Sequence, residues 1–183
     1  MKTINEDIKE VLISEEELAK RVSELGKEIT KDYKDGYEDL ILIGILKGAV
    51  VFLADLIKEI EIPVQIDFMS VSSYGKGNTE SSGVVRILKD LDEDITDKHV
   101  LLVEDIIDSG LTLSYLSDIM IRRGAKSVKI ATLLNKPARR EKEVAIDYCG
   151  FKVPNEFIVG YGIDYSEKYR NLTFIGALDE KAY

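Results

Sequence analysis

The sequence holds a single cysteine, Cys149, which excludes an internal disulfide and leaves no thiolate cluster for zinc. That lone thiol reads as a small packed residue. Long hydrophobic runs are missing too: no apolar stretch approaches the roughly 20 residues of a spanning helix, and the opening MKTINEDIKE lacks the apolar centre of a secretion signal. A cytoplasmic location without a membrane partner is expected. Positive charge is short, with 25 Lys and Arg against 34 Asp and Glu and a formal net charge of −9. This balance opposes attraction to nucleic acid, so any anionic ligand must be held by local devices. Internal repeats, low-complexity tracts and Pro/Ser-rich linkers are absent, and 183 residues can bury one substantial core. One domain is the default.

What is present alternates between strand and helix patterns. Ser14 and Glu17 have the form of a capping box, and Leu18, Val22, Leu25 and Ile29 follow at helical spacing until Asp35-Gly36 stops the segment. LILIGIL (40–46) is a continuous apolar run of strand length, and GAVVFLADLIKEI (48–60) reads as a helix closed by Pro63. Val64, Ile66 and Phe68 alternate with polar neighbours, so a strand is expected there. It enters SVSSYGKGNTESSG (70–83), a mobile-loop candidate rich in Gly and Ser, from which VVRILK (84–89) returns as a strand. HVLLVED (99–105) reads as a buried strand, LTLSYLSDIMIRRG (111–124) as a helix and SVKIATLLN (127–135) as another strand. Continuous apolar strands alternating with helices predict an α/β fold with a mainly parallel twisted sheet. Ligands of such sheets bind beyond the carboxyl ends of the strands.

VLLVEDIIDSGLTL (100–113) stands at one of those ends. A hydrophobic run delivers Glu104, Asp105 and Asp108 with no Lys or Arg among them. Ser109, Gly110 and Thr112 then lie in a strand-to-helix turn, where unpaired N–H groups and the positive helix end form an anion cradle. The Walker pattern is absent and no G-x-G-x-x-G opens a helix, so a nucleoside triphosphate or dinucleotide is not favoured. Glu104 and Asp105 suit hydroxyl donors or a hard divalent cation. A ribose phosphate satisfies both halves of the turn. A plainer alternative is that the acids only cap the next helix, although three acids in five residues exceed what capping requires. His99 has no His, Cys or acidic partner at metal spacing and is assigned no chemistry.

The stretch resembles the phosphoribosyl-diphosphate (PRPP) signature of type I phosphoribosyltransferases, and its Glu-Asp-Ile-Ile-Asp-Ser-Gly form is similar to the hypoxanthine-guanine branch. GILKGAVVFLADL (44–56), DFMSVSSYG (67–75), LLNKP (133–137) and FIVGYGIDYSEKYRNL (157–172) resemble that family in the same order, so the similarity covers essentially the whole chain. The resemblance implies a single domain with a core of about residues 37–150 and a hood from the N-terminal segment and about 151–183. It implies purine salvage: transfer from PRPP to N9 of hypoxanthine or guanine, giving IMP or GMP and pyrophosphate, with Mg2+ as cofactor. Family members are often dimers or tetramers, so a homodimer or homotetramer is expected.

Residue by residue, the resemblance makes Asp108 the general base facing N7 of the purine. Glu104 and Asp105 contact the ribose hydroxyls and orient magnesium, and Asp164 is the ligand of a second metal site. Ser109, Gly110, Leu111 and Thr112 enclose the 5′-phosphate, Leu111 standing where some relatives carry Lys. Lys47 and Gly48 of Leu-Lys-Gly, a loop that often contains a non-proline cis peptide, grip pyrophosphate together with Arg170. Lys136 reads the purine 6-oxo group, Phe157 stacks on the ring and the Ile158 carbonyl accepts from N1–H. Further carbonyls near Asp164 would take the guanine amino group. Ser73, Tyr74 and Gly75 match the mobile loop. Thr173 departs from the Pro common after YRNL. The rivals are a xanthine-using or adenine-specific transferase and a non-catalytic PRPP-sensing regulator, the latter disfavoured by the acidic charge. LLVED is also loosely similar to phospho-acceptor signalling domains, whose acids come partly from the chain's first strand.

Overall fold

The computed structural model describes residues 4–35, 39–73 and 85–182. In chain order the elements are β1 (Ile8–Ile13), α1 (Glu15–Tyr33), β2 (Leu40–Leu46), α2 (Val50–Glu59), β3 (Gln65–Ser73), β4 (Val85–Lys89), β5 (His99–Ile107), α3 (Leu111–Arg122), β6 (Ser127–Asn135), β7 (Tyr148–Lys152), β8 (Ile158–Val159) and β9 (Ile175–Leu178). Six strands form one sheet of order β4-β3-β2-β5-β6-β7. Every neighbour pair in it is parallel except β3 and β4. A second, antiparallel sheet joins the two ends of the chain as β1-β9-β8.

The continuous apolar strands need both faces covered, and they are. Leu40 and Leu42 of β2, with Leu101 and Val103 of β5, pack towards α1 and α2. Their neighbours Ile41, Ile43, Val100 and Leu102 pack on the other face with Leu113, Leu116 and Met120 of α3. Helix α1 begins as its sequence requires: the Glu17 N–H donates to Ser14 Oγ at 3.2 Å and the Ser14 N–H to Glu17 Oε2 at 2.8 Å. Leu18, Val22, Leu25 and Ile29 are its buried stripe.

Three local expectations are corrected. The alternation in β3 does not separate an apolar buried face from a polar exposed one, because Phe68 packs partly buried against the core on one side and the other side is covered as well. Asp67 and Met69 are buried while Ile66 is 44% exposed. Asp67 can enter because its carboxylate accepts from the N–H groups of Phe68 at 2.6 Å, Asp92 at 2.8 Å and Glu93 at 3.0 Å, with Lys89 at 3.5 Å. Strand β5 also continues two residues past Asp105, since Ile106 and Ile107 pair with Leu134 and Asn135 of β6. Glu104 and Asp105 therefore stand on the strand, and only Asp108 lies in the turn. Finally, the short strands β1, β7, β8 and β9 go beyond the elements read from sequence, because each is too brief or too mixed in polarity to show a period.

Candidate active site

Parallel strands β2, β5 and β6 are adjacent and end at the same edge, so the segments leaving them meet there. Strand β2 leads into Lys47-Gly48 through a cis peptide between Leu46 and Lys47. Strand β5 carries Glu104 and Asp105 and leads into Asp108. Strand β6 leads into Lys136, whose N–H donates to the Ile107 carbonyl at 3.0 Å.

Gly48 and Asp105 are in direct contact. A methyl group built on Gly48 would overlap the Asp105 carboxylate, which supplies all three of its nearest atoms. Only glycine lets these two strand ends close. Burial pushes the Glu104 carboxyl well above the usual range, and the adjacent Asp105 adds to this. Asp105 is itself raised by burial, against the pull of the Ile106 N–H at 2.7 Å. Among the described residues neither acid has a salt-bridge partner; Glu104 is buried and Asp105 partly so, and the pair is a set of hard oxygen donors.

The turn beyond β5 has the backbone geometry expected of an anion cradle. Gly110 caps α3 with φ +81°, a conformation suited to glycine, and a side chain there would strike the Lys142 carbonyl. The first intrahelical bond runs from the Ser114 N–H to the Gly110 carbonyl at 3.0 Å. The N–H groups of Leu111, Thr112 and Leu113 thus precede the ladder. Thr112 and Leu113 line a cavity of about 160 Å³ together with Glu104, Ile106, Asp108, Ser109 and Gly110 among others, while the Leu111 N–H donates to Ser109 Oγ at 3.4 Å. Asp108 Oδ1 is buried with no hydrogen-bond partner, while Oδ2 lies 3.5 Å from Arg139.

Residues absent from the sequence reading brace this turn. Arg140 donates from Nε to the Asp108 carbonyl at 3.1 Å and from its NH2 group to Asn135 Oδ1 at 2.6 Å. The N–H groups of Glu141 and Lys142 both donate to the Ser109 carbonyl at 2.9 Å. The signal was an Arg pair four residues past a strand end, which on its own reads as a solvated loop.

Lys136 is 8% exposed and its ammonium donates to the Glu156 carbonyl at 2.9 Å. That bond ties the end of β6 to Phe157, whose ring is 51% exposed and meets Tyr165 edge-on at 6.0 Å. Ile158, the next residue, is buried. Lys136, Phe157 and Ile158 are thus assembled together. Asp164 and Arg170 are assembled as an ion pair at 2.6 Å, and the second oxygen of Asp164 accepts the Glu167 N–H at 2.8 Å. Arg170 also donates to the Gly162 carbonyl at 2.7 Å. Behind Arg170 a second cavity of about 410 Å³ lies between α1, α2 and residues 161–173. There Tyr161 donates to Asp55 at 2.5 Å, fastening this segment to α2. Ser73 ends β3, whereas Tyr74 and Gly75 lie outside the described residues. At the opposite edge of the sheet His99 meets Ser127 Oγ at 2.7 Å; Cys149, on β7, is half-buried with its thiol pushed up by burial.

A parallel sheet whose strand ends collect an anion cradle, an acid pair and separate cations defines a phosphoribosyl-transfer class of site. A family model described as the phosphoribosyl transferase domain matches residues 10–166, and the chain belongs to this family. It is 54% identical over 177 residues to a hypoxanthine-guanine phosphoribosyltransferase of Bacillus subtilis, covering 97% of both. It is 52% identical over 181 residues to a protein of the same name from Mycobacterium avium, covering 97% of this chain and 89% of that one. A crystal structure of a hypoxanthine phosphoribosyltransferase from Staphylococcus aureus matches with a TM-score of 0.94 at 47% identity, covering 100% of this chain and 98% of that one.

Proposed function

We propose that this protein is a purine-salvage enzyme that transfers the phosphoribosyl group of PRPP to N9 of hypoxanthine or guanine, giving IMP or GMP. The bond from the anomeric carbon to pyrophosphate breaks, the bond to N9 forms, and the base gives up a proton. The observation that carries the reading is the meeting, at one sheet edge, of the 108–112 cradle, the Glu104–Asp105 pair, Lys47-Gly48 and the Lys136–Phe157 group. The similarity to hypoxanthine-guanine phosphoribosyltransferases along nearly the whole chain supports it.

Each part has a task. Ser109, Gly110, Leu111 and Thr112 hold the 5′-phosphate, each helix-terminus contact being worth about 0.3–1 kcal/mol. With Leu111 in place of a lysine, backbone N–H groups carry that load. The ribose hydroxyls donate to Glu104 and Asp105, which answers the otherwise costly burial of those acids. Asp108 is the general base: its buried, unpartnered Oδ1 is an acceptor for a proton on the purine imidazole ring. Lys136 donates to the 6-oxo group, a charge-assisted bond of about 1.5–3 kcal/mol that adenine, presenting an amino donor, cannot accept. Phe157 supplies the stacking face and the Ile158 carbonyl the N1–H acceptor. Lys47, the Gly48 N–H and Arg170 grip the pyrophosphate. Ser73, Tyr74 and Gly75, by resemblance to the family's motif, would serve to exclude water from the reacting sugar.

Magnesium fits this donor set. Among the described residues no three His, Cys, Asp or Glu side chains converge on a metal site, so the ion would take most of its ligands from substrate oxygens and water, as Mg2+ commonly does. Glu104 and Asp105 are the residues that would hold it, and Asp164 would be the ligand of a second metal site. Bound there, it supplies neutralisation of the pyrophosphate charge. One domain acting as a cytoplasmic homodimer or homotetramer completes the reading. Incubation with PRPP, magnesium and each of hypoxanthine, guanine, xanthine and adenine tests it. Turnover of the 6-oxopurines is expected; turnover of adenine alone, or of none, refutes it.

A further inference from the structure

Lys47 and Arg170, 123 positions apart in sequence, are bridged by one carboxylate. Glu167 Oε2 lies 3.0 Å from Lys47 Nζ and 3.5 Å from an Arg170 guanidinium nitrogen. Lys47 first, and Arg170 after it, hold the Glu167 carboxyl below the usual range. The backbone goes to some length to present this side chain, since Ser166, Glu167 and Tyr169 adopt φ of +52°, +63° and +74°, a region that L side chains rarely occupy. Two acids share this turn, but only one is fixed. Asp164 is held through both oxygens, whereas the Glu167 side chain is 65% exposed and tethered by exposed ion pairs alone. Such pairs add little to stability. Their placement, on the two cations that the functional reading assigns to pyrophosphate, is what matters.

We propose that Glu167 is a tethered competitor of pyrophosphate: it occupies the Lys47–Arg170 grip between turnovers, yields it to the diphosphate of the incoming donor, and reclaims it as the product departs. A carboxylate offers the same charge sign and acceptor geometry as a phosphate oxygen. Attached three residues from Arg170, it acts at high effective concentration. It lowers the apparent affinity for pyrophosphate by the fraction of molecules in which the grip is already filled. Weak exposed pairs of this kind give a factor of about three to ten. The grip thereby stays ordered in the resting protein without retaining its product.

The inference rests on the proposed function, and calorimetry separates the two because it needs no turnover. Magnesium pyrophosphate is titrated into the unaltered chain, E167Q and E167D, with thermal unfolding of each as the measure of folding. E167Q is expected to bind pyrophosphate about three- to tenfold more tightly, with a parallel fall in the pyrophosphate inhibition constant and in the KM for PRPP, and no rise in kcat. E167D, shorter by one methylene, is expected to fall between; it carries the test if E167Q folds poorly. Weaker binding by E167Q would mean that Glu167 organises the cations, and unchanged binding that the bridge is incidental. Either result overturns the proposal while leaving the transferase reading intact. An unaltered chain that neither binds pyrophosphate nor turns over a 6-oxopurine would overturn both.

Discussion

Gly48→Ala tests the closure of the site at one atom. The added methyl has no room, because the Asp105 carboxylate fills its position and provides its three nearest neighbours. Asp105 is short and its Oδ1 is held by the Ile106 N–H, so it cannot swing aside as a long side chain would. Overpacking of this kind costs about 1–3 kcal/mol. At the size of this chain, about 2 kcal/mol lowers Tm by roughly 4–8 °C. Activity should suffer more than stability if Asp105 binds substrate as proposed, since displacing such a group by about 1 Å costs on the order of 10²-fold in kcat/KM. A double-mutant cycle identifies the cause. In an Asp105→Ala background the methyl enters vacated space, and Gly48→Ala should cost under about 0.5 kcal/mol in urea unfolding, leaving a coupling energy of about 0.5–3 kcal/mol. Equal costs in the two backgrounds would refute the contact.

Three further outcomes are expected. Asp108→Ala should lower kcat by about 10²–10⁴-fold while sparing PRPP affinity measured by calorimetry; an equal loss of both would make Asp108 a structural cap. Lys136→Ala should erode the preference for hypoxanthine over adenine by roughly 10- to 100-fold, read as a ratio of kcat/KM values, and an unchanged ratio would remove it from base recognition. Asp67→Ala should cost about 2–3 kcal/mol because it strands the N–H groups of Asp92 and Glu93. Burial alone would raise the Asp67 carboxyl, but the N–H donors of Glu93, Phe68 and Asp92, with Lys89, hold it below the usual range. Its contribution is therefore fully present above about pH 3.9 and lost as pH falls through the lower folded value. The stability gap between the variant and the unaltered chain should stay constant from about pH 5 to 8 and close in acid.

The central sheet was legible because its strands announce themselves. LILIGIL and SVKIATLLN became β2 and β6 at the residues where their apolar runs begin and end. The Ser14–Glu17 box likewise placed the start of α1. Local chemistry failed where tertiary partners decide. Asp67 reads as one of the polar neighbours in an alternating strand, and its burial depends on two distant N–H groups, those of Asp92 and Glu93; β8, with two residues, has no period to read. The site was readable for a related reason. Acids and glycines at the end of an apolar strand contradict burial, and that contradiction marked residues 104–112. Arg139, Arg140 and Glu167 contradicted nothing, being charges in polar loops. Their roles exist only through partners 31, 32 and 120 positions away.

The strap formed by residues 139–142 has a bearing on how such a scaffold can diversify. It begins three residues after the lysine assigned to the purine and ends on the carbonyls of Asp108 and Ser109. Rewriting it to admit a different nucleobase would therefore disturb the turn proposed to seat the sugar's terminal anion. New base preferences should arise more readily around Phe157, whose exposed ring can change without loosening that seat.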